Sequence, residues 1–479
     1  MFRTQHLIDG VWGADEGGGE IVVHDPADGT PVTSAPAATP ADVAAAVKAA
    51  RKAAPAWAAT PAVQRAAALR RAADAIERSI DELAQAQTAE MGRPLGAARD
   101  GVAAGVATLR QYAELGPVHR GRSLAGAPEA IDLMALQPRG VVAALTPWND
   151  PVAVSCGLIG AALVTGNTVI YKPSERTPAT GWLLTRLLDE HLPAGVLSLL
   201  VGAGPVGAAL AAEEVDVVAH VGSSAAGRAI AAACARTGAK PLLENGGSDP
   251  LIVDADVDPR WAAQQAALGA FANCGQLCVA VERIYVLREV VAEFLDALVA
   301  RAGAMRVGPG RDPATEMGPL VDRRHRDAVH AQVRAAVDEG ARVCCGGTVP
   351  DGPGAFYPPT VLADCTDRMA VMCEETFGPV APVMVVDSFD EALSRAARSR
   401  YGLAATVLTG SMAHAQRAWR ELPVGTVKIN AVFGGAPGGA AHPRRGSGQG
   451  FGYGPELLDE LTVTKVVHIG APTARHWGW

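Results

Sequence analysis

The sequence predicts an α/β protein that contains two successive parallel sheets. From residue 140 to residue 237, continuous apolar runs of five or six residues alternate with helical segments of about ten residues, a pattern typical of β-α-β units. Because these runs lack polar residues at alternate positions, we expect strands that are covered on both faces. A second block with the same pattern begins near Pro250. A chain of 479 residues is also too long for one ordinary hydrophobic core, so two or three domains are expected.

The segment before the first block combines short strands with a long helical region. Strands are predicted at 7–12 and 21–24, and helices at 39–90 and 97–115. The pair Thr60-Pro61 interrupts the first helical region, because proline disfavours the helical conformation of the preceding residue. After these helices, residues 131–138 alternate like a partly exposed strand.

The two parallel blocks supply the remaining elements. In the first block, we predict strands at 140–145, 167–172, 197–202 and 217–221, and helices at 151–163, 178–190, 206–212 and 225–237. In the second block, we predict strands at 251–253, 283–287, 381–386 and 404–408, and helices at 259–272, 290–304 and 323–339. Residues 348–357 and 434–454 are rich in Gly or Pro and are predicted as loops. The last strand, 461–469, lies far from the first sheet in sequence, so we expect it to pair with another element or with another subunit.

Composition and charge exclude several classes of function. The chain has 49% hydrophobic residues, 19% charged residues and a net charge of −8, which describes a globular protein without a nucleic-acid-binding surface. It contains no segment of about twenty uncharged apolar residues, the length that spans a membrane. The eight cysteines lack the paired spacing of a zinc site, so we expect no metal. Because neither a disulfide framework nor a signal peptide is evident, the cytoplasm is the expected location.

Two stretches combine a reactive side chain with glycine. Cys278 follows Gly275-Gln276-Leu277 in an apolar region, and Glu244 precedes Asn245-Gly246-Gly247. A cysteine nucleophile needs a base or a lowered pKa together with room for a substrate, and adjacent glycines let a ligand approach the backbone closely. Taken alone, each cysteine of the chain is more often a buried structural residue than a nucleophile.

Four further stretches follow predicted strands or lie in a loop of the second block. Trp148-Asn149 and Lys172-Pro173-Ser174-Glu175 follow strands of the first block, at the edge where ligands of parallel sheets bind. Gly222-Ser223 follows a strand and precedes a helix, an arrangement that offers backbone N–H groups to a phosphate. Glu374-Glu375-Thr376-Phe377 lies before a Gly-Pro turn. Each stretch also has a structural interpretation. Asn149 could cap the following helix, and the Lys–Glu turn could be an ordinary solvent-exposed turn. Gly222 could simply allow a helix to pack close to a strand, and the two glutamates could lie at an exposed loop tip.

These six stretches follow one another in the same order and at similar spacing as in the aldehyde dehydrogenase superfamily, which the chain resembles over essentially its whole length. The resemblance, to the NAD(P)-dependent and non-acylating type, implies a parallel-sheet, Rossmann-like cofactor domain formed by residues 1–125 and 145–248. It further implies an α/β catalytic domain over 249–455 and a small β oligomerisation element formed by a hairpin at 126–144 and a tail at 456–479. A homodimer or homotetramer is therefore expected.

The resemblance also implies roles for individual residues. Cys278 corresponds to the catalytic thiol and Glu244 to the general base. Asn149 corresponds to the side-chain half of an oxyanion hole, whose other half is the backbone N–H of Cys278. The implied cofactor-binding residues are Lys172 and Glu175 at the adenine ribose, Gly222 and Ser223 at the pyrophosphate, Glu375 and Phe377 at the nicotinamide ribose and ring, and Trp148, Ser174 and Gly204 elsewhere along the cofactor.

These roles imply the oxidation of a small-molecule aldehyde to an acid. Attack by the thiolate gives a thiohemiacetal, hydride transfer to the cofactor leaves a thioester, and Glu244 activates the water that hydrolyses it. Glu175 would accept from both ribose hydroxyls and repel a 2′-phosphate, which favours NAD, although Lys172 and Ser174 would still tolerate NADP. Two alternatives stay open: a CoA-acylating dehydrogenase, which Glu244 argues against, and a structural homologue without activity, which the presence of all three catalytic residues argues against.

The sequence departs from the family pattern at several positions near the implied site. His220-Val221 replaces the usual Phe-Thr pair, Cys274 replaces a common Gln, and Asp150 stands where an aromatic residue often follows Asn149. Residues 440–448 also differ from the usual stretch. Because Asp150 and 440–448 belong to the region that lines the family's aldehyde tunnel, the substrate is left open between polar and aromatic aldehydes. For Cys274, a disulfide with the nucleophile is one interpretation and ordinary packing is the simpler one.

Overall fold

The computed structural model describes residues 1–13, 16–434, 439 and 442–470. Its strands are β1 (Phe2–Arg3), β2 (His6–Ile8), β3 (Val11–Gly13), β4 (Glu20–His24), β5 (Pro31–Pro36), β6 (Arg122–Ser123), β7 (Ile131–Pro138), β8 (Val141–Leu145), β9 (Thr168–Lys172), β10 (Leu197–Leu199), β11 (Val217–Val221), β12 (Lys240–Glu244), β13 (Asp249–Val253), β14 (Val281–Leu287), β15 (Arg342–Cys345), β16 (Thr360–Ala363), β17 (Val380–Val386), β18 (Ala404–Leu408), β19 (Thr426–Ile429), β20 (Gly448–Gln449) and β21 (Thr462–Ile469). Its α-helices are α1 (Pro40–Ala59), α2 (Ala62–Arg78), α3 (Ile80–Met91), α4 (Leu95–Leu115), α5 (Pro151–Val164), α6 (Pro178–Asp189), α7 (Gly204–Ala212), α8 (Ser224–Thr237), α9 (Pro259–Phe271), α10 (Val291–Ala304), α11 (Arg323–Asp338), α12 (Ala370–Cys373), α13 (Phe389–Ala396), α14 (Met412–Glu421) and α15 (Glu456–Glu460).

The larger sheet has eight strands in the order β20-β12-β11-β8-β9-β10-β2-β3. The five strands from β12 to β10 are parallel, as the alternation of apolar runs and helices predicts. The edge strands β20, β2 and β3 pair in the antiparallel direction. Every residue of β8 and β9 is buried, because helices pack on both faces of the sheet. The turns that follow β8, β9 and β11 therefore meet at one edge, where Asn149, Lys172 and Gly222 lie.

The second sheet has seven strands in the order β15-β16-β17-β14-β13-β18-β19. The strands from β16 to β19 are parallel, and the edge strand β15 is antiparallel to its neighbour. Phe271 at the end of α9, Phe294 in α10 and Tyr285 in β14 are among its buried core residues. The loop that joins α9 to β14 carries Cys278, so the thiol belongs to this second unit.

The last strand pairs within its own chain. β21 pairs antiparallel with β7 along all eight of its residues, and β6 pairs with the other edge of β7. The prediction of a hairpin over 126–144 is wrong in its second part, because β8 is fully buried and lies in the centre of the eight-stranded sheet. Ile131, Val466 and Ile469 are each more than half exposed, so the small sheet has an apolar surface. Residues 471–479 of the predicted tail lie outside the described residues, as do residues 435–438, 440 and 441 of the predicted loop.

The remaining differences concern short elements and one helix boundary. The helical region predicted at 39–90 is interrupted at Thr60-Pro61 as expected, and again at Ser79, where neither Gly nor Pro gives a signal. Elements with few residues carry too few periodic positions to be predicted from pattern. Those not predicted are β1, β5, β6, β12, β15, β16, β19, β20, α12, α13, α14 and α15. Among the described residues, no helix combines the length and apolar composition that crossing a membrane requires.

Glu90 at the end of α3 joins two helices of the first unit. Its carboxylate is 1% exposed and accepts hydrogen bonds from the Ala179 N–H at 2.8 Å and from the N–H and hydroxyl of Thr180 at 3.0 and 2.8 Å. These N–H groups belong to the first turn of α6, where the N-cap residue Thr177 makes no side-chain cap. Burial raises the pKa of Glu90 to about 7, although these hydrogen bonds oppose the shift. A carboxylate from α3 thus satisfies the free backbone N–H groups at the N-terminus of α6.

We expect Glu90→Gln to change how stability depends on pH. The pKa of folded Glu90, about 7, lies above the value of about 4.3 for an unfolded glutamate, so the native state binds more protons between the two. Stability from this group is therefore present at low pH and is lost as pH rises through that window. The difference in Tm between wild type and variant should fall from about pH 5 to about pH 8 in thermal unfolding. The exposed Glu82→Gln is the control, and a difference that stays constant with pH would contradict the assignment.

Candidate active site

The loop that carries Cys278 has an unusual backbone. Asn273, Cys274 and Gly275 all have positive φ values, of 49°, 59° and 71°. A Cβ at Gly275 would lie 2.1 Å from the carbonyl oxygen of Gly378, so glycine is required there. Three successive left-handed residues fold the chain back and leave Cys278 half-buried a short distance beyond. Cys274 is buried in the core of the second unit and has a free thiol, which favours the packing interpretation.

Asn149 is joined directly to this loop. Its Nδ2 donates to the Gln276 carbonyl at 3.0 Å, and Nδ2 of Asn273 donates to the Asn149 carbonyl at 3.2 Å. The Gln276 side chain fixes the loop in turn, because it donates to the Asn273 carbonyl and accepts from the Val321 N–H. Asp150 occupies the N-cap position of α5, so the interpretation of Asn149 as a cap is wrong. One hydrogen of the Asn149 amide is used by Gln276, and the second is left for another acceptor.

Glu244 is the last residue of β12 and faces a glycine from a distant part of the chain. The Gly452 N–H donates to Oε1 of Glu244 at 3.1 Å. A Cβ at Gly452 would lie 2.1 Å from Cγ of Glu244, so this approach requires glycine. Burial raises the pKa of Glu244 to about 8. A carboxyl group whose pKa lies near neutral pH has the properties of a general base.

Burial and nearby carboxyl groups both act on the Cys278 thiol. Burial raises the pKa of its thiol to about 12. The carboxylates that add to this shift are Glu244, Asp249, Glu375 and Asp150. On the cationic side, Lys428 donates to the Val432 carbonyl at 2.8 Å, and the charges of Asp249 and Cys278 oppose the lowering of its pKa by burial. In this arrangement the thiol is protonated at neutral pH.

A buried acid holds the turn that contains Glu375 and Phe377. Glu282 of β14 is 4% exposed and accepts from the N–H groups of Thr376, at 3.0 and 3.1 Å, and of Phe377, at 2.7 Å. Burial and the neighbouring Glu375 charge raise the pKa of Glu282 well above its ordinary value. Phe377 has a φ of 53° and packs edge-on against Trp148, with 5.5 Å between ring centres. Because Trp148 follows β8, this contact brings a turn of the second unit against the first.

Glu375 adds a second connection between these turns. Its Oε1 accepts from the Gly247 N–H at 3.0 Å, in the segment that follows Glu244. A Cβ at Gly246 would lie 2.3 Å from the same carboxylate, so the glycine leaves it room. Burial raises the pKa of Glu375 to about 7. Its neighbour Glu374 forms an ion pair with Arg400, so the interpretation as an exposed tip applies to Glu374 and not to Glu375.

A cleft of about 580 Å³ opens at the carboxyl edge of the first sheet. The predicted cofactor residues that line it are Trp148, Lys172, Ser174, Glu175, Gly204, Gly222 and Ser223. The two helices beside it contribute small residues, namely Gly207, Ala208 and Ala211 of α7 and Ala226, Ala229 and Ala233 of α8. An apolar slot with polar groups along its edge fits a planar base that is joined to a sugar and phosphates.

The Lys172 turn is buried rather than solvated. The ammonium of Lys172 donates to the carbonyls of Pro173 and Gly202 at 2.7 and 2.6 Å. Burial lowers its pKa to about 8. Glu175 is half-buried beside Ser174, whose hydroxyl lies 3.4 Å from a Glu175 oxygen. Both charged groups therefore lie at the cleft in positions that suit the hydroxyls of a ribose.

Ser223 caps a helix and can also bind a phosphate. Its Oγ accepts from the Ala226 N–H at 3.2 Å and so caps α8. The Gly222 N–H donates to the Glu244 carbonyl at 3.0 Å. Any phosphate at this turn would therefore be bound by N–H groups of the first turn of α8 and by the hydroxyl hydrogen of Ser223.

The sequence indicated the reacting groups but not the residues that hold them. Gln276, Glu282 and Gly452 position the Cys278 loop, the Phe377 turn and Glu244. Glu282 is an acidic residue inside the otherwise largely apolar strand β14, and this unusual position was the sequence signal that could have identified it. The contact of Gly452 with Glu244 spans 208 residues, and no local pattern indicates it.

Comparisons with known proteins agree with this geometry. The model of the aldehyde dehydrogenase family matches residues 12–467. The chain is 36% identical over 478 residues to a betaine aldehyde dehydrogenase of Cereibacter sphaeroides, with 98% of this chain and 97% of the relative covered. It is 36% identical over 444 residues to a succinate-semialdehyde dehydrogenase of Paenarthrobacter nicotinovorans, with 91% and 98% covered. The crystal structure of PnpE in complex with nicotinamide adenine dinucleotide has a TM-score of 0.95 and 34% identity, with 99% of both chains covered.

The resemblance and the fold that it implies are thereby confirmed. The similarity extends over both parallel sheets and over the small sheet formed by β6, β7 and β21. The chain therefore belongs to the aldehyde dehydrogenase family and is an enzyme that oxidises an aldehyde to a carboxylic acid with a nicotinamide dinucleotide.

Proposed function

We propose that this enzyme oxidises a neutral or cationic small aldehyde with NAD, using Cys278 as the nucleophile, and that Glu244 directs hydrolysis of the acyl-enzyme. The observation that carries the proposal is the junction of the two sheets. There the Asn149 amide is hydrogen-bonded to the Cys278 loop, and the Glu244 carboxylate is close enough to raise the pKa of the thiol.

The first step is attack of the Cys278 sulfur on the aldehyde carbon. The carbonyl oxygen then becomes negative, and we assign its stabilisation to the free Asn149 amide hydrogen and the Cys278 backbone N–H. Asn149 suits this role because it is buried and already oriented by Gln276, so little reorganisation is needed. Bound NAD supplies the hydride acceptor and a positive ring that would favour the thiolate.

Glu244 is the group that would take a proton from the attacking water. The Gly452 N–H binds Oε1, which leaves Oε2 as the proton acceptor. With a pKa of about 8, the carboxyl is partly ionised at neutral pH and can also pass the proton on to solvent. A dehydrogenase that transfers its acyl group to CoA would not need this base, so the geometry supports water as the acyl acceptor.

The cofactor proposal is based on the 580 Å³ cleft at the edge of the first sheet. An ammonium group has three hydrogens, and Lys172 uses two on backbone carbonyls, which leaves one for a ribose hydroxyl. Glu175 would accept from the hydroxyls on the other side of the sugar. Its negative charge would oppose a 2′-phosphate, so the cleft favours NAD over NADP.

The proposed substrate class follows from the charges around Cys278. Asp150 begins α5 and pairs with Arg93 at 2.9 Å, so the nearby guanidinium is already neutralised. Glu244, Glu375 and Asp249 contribute further carboxyl groups near the thiol. An aldehyde with its own carboxylate would be repelled by the ionised fraction of these acids, whereas a neutral or cationic aldehyde would not.

The domain organisation is part of the same proposal. We assign cofactor binding to the eight-stranded unit and catalysis to the seven-stranded unit, with the β6, β7 and β21 sheet as the oligomerisation element. The exposed apolar residues Ile131, Val466 and Ile469 support association into a homodimer or homotetramer. All eight cysteines are free, which supports a reducing cytoplasm as the location.

Cys278→Ala should abolish NADH formation with every aldehyde, a loss of at least about 10³-fold, because no thioester can form. NAD binding, measured by quenching of intrinsic fluorescence, should be unchanged. Cys274→Ala is the matched control, since it removes a buried thiol four positions earlier. A Cys278→Ala variant that still oxidises aldehydes would remove the proposed nucleophile.

Glu244→Gln should separate acylation from hydrolysis. The variant should give a pre-steady-state burst of NADH equal to its active-site concentration, followed by turnover slowed by about 10²-fold or more. In the wild type, the steady-state rate should rise with pH through about 8, because the base acts when deprotonated, and this dependence should disappear in the variant. Loss of the burst to the same extent as turnover, or an acyl-CoA product when CoA is added, would contradict the role.

A panel of aldehydes tests the charge preference. Betaine aldehyde, propionaldehyde and succinate semialdehyde represent the cationic, neutral and anionic classes. We expect kcat/KM for the anion to be lower by about tenfold or more, equivalent to about 1.4 kcal/mol of repulsion. Asp150→Asn should narrow this gap, because it removes a carboxylate that acts on the thiol and leaves the Arg93 guanidinium unpaired. Equal kcat/KM values for the three classes would refute the proposed preference.

A further inference from the structure

His220 lies in the floor of the cofactor cleft. It is the fourth residue of β11, is 9% exposed and lines the slot between α7 and α8. A Cβ at Gly222 would lie 2.7 Å from Cε1 of His220, so the ring packs directly beneath the turn that begins α8. Its surroundings in the slot are otherwise largely apolar, with Leu145 and Ile230 among the lining residues.

The imidazole has no hydrogen-bond partner within the described residues. Neither Nδ1 nor Nε2 has a partner among these residues that meets hydrogen-bond geometry. The Ser223 backbone lies near the ring, and its interaction with the ring partly opposes the lowering of the ring's pKa by burial. The neighbouring Lys172 ammonium donates instead to the Pro173 and Gly202 carbonyls. Leaving a buried polar group without a partner costs about 1–3 kcal/mol. A phenyl ring would fill the same space without that cost.

The ring is neutral at physiological pH. Burial is the main cause that lowers the pKa of His220 to about 4, and the Lys172 charge adds to it. A neutral imidazole carries one N–H donor and one acceptor nitrogen. An oxygen-rich ligand in the cleft would therefore satisfy at least the donor.

We propose that His220 is a cofactor contact whose N–H donates to an oxygen of the adenosine-phosphate half of the dinucleotide. The proposal rests on the proposed cofactor cleft. This half is favoured because His220 lies between two groups that are suited to bind its ribose and its phosphate. Lys172 is placed for the ribose, and the Ser223 turn is placed for a phosphate. The Trp148–Phe377 contact, which marks the other end of the site, does not include His220.

Binding measurements with cofactor fragments test this role. His220→Phe keeps an aromatic ring and removes both nitrogens, whereas His220→Gln keeps an amide donor. We expect His220→Phe to weaken binding of AMP and of NAD about tenfold by isothermal titration calorimetry, the loss expected for one hydrogen bond to a charged oxygen. His220→Gln should restore part of that affinity, and the exposed His24→Phe should bind as the wild type does. The KM for the aldehyde at saturating NAD should be unchanged in all three.

The outcomes separate this proposal from the one on which it rests. If His220→Phe and wild type bind AMP and NAD equally, His220 is not a contact and the inference is overturned. It is also overturned if His220→Phe and His220→Gln lose affinity equally while the aldehyde KM rises, because the change is then a distortion of the cleft. Comparison of adenosine with AMP identifies the acceptor, since a loss confined to AMP assigns the phosphate and a loss for both assigns the ribose. Failure of the wild type to bind NAD would instead refute the cofactor cleft itself.

Discussion

The hydrogen bond from the Asn149 amide to the Gln276 carbonyl is the constraint on which the site depends. Asn149 belongs to the turn after β8 in the eight-stranded sheet, and Gln276 belongs to the loop before β14 in the seven-stranded sheet. The bond therefore fixes the relation between an amide on one unit and a thiol on the other. The bond from Gly247 to Glu375 reinforces it from the segment that joins β12 to β13. Chemistry across such a junction needs reacting groups placed to within fractions of an ångström, which packing of apolar faces alone does not supply.

The same junction gathers carboxyl groups where water is scarce. Glu244, Asp249 and Glu282 all have pKa values raised by burial, and each accepts a backbone N–H: from Gly452, from Ala404 and from Phe377. These bonds hold the acids in place without neutralising them. Burial, with a smaller contribution from Glu244, Asp249 and Glu375, keeps the Cys278 thiol protonated, and a protonated thiol is a weak nucleophile that resists oxidation. If Cys278 is the nucleophile, as proposed, a positive charge that arrives with the ligand would be needed to favour the thiolate.

Sequence patterns predicted the parts of this arrangement that depend on local order. The buried strands β8, β9 and β11 are continuous apolar runs, so the turns that carry Asn149, Lys172 and Gly222 could be placed at one sheet edge. The family resemblance then assigned their roles. Contacts between distant segments could not be predicted from periodicity, which does not relate Gly452 to Glu244 or β21 to β7. For β7 and β21, only the family resemblance placed the two segments in one element. The strained loop at 273–275 was missed for a different reason, since Asn and Cys give no strong signal for a left-handed backbone.

Several departures from the family pattern lie beside the proposed catalytic residues and do not replace them. Asp150 lies beside the proposed oxyanion-hole residue Asn149, and Asn245, where the family commonly has Leu, follows the proposed base Glu244. The Asn245 side chain fits because the neighbouring residue of α8 is Gly227. A Cβ at Gly227 would lie 2.1 Å from Oδ1 of Asn245. That oxygen and the His220 ring nitrogens have no partners among the described residues. An unsatisfied polar atom is costly in a core, but the His220 ring lies beside a cleft, where a bound ligand can complete its hydrogen bonds.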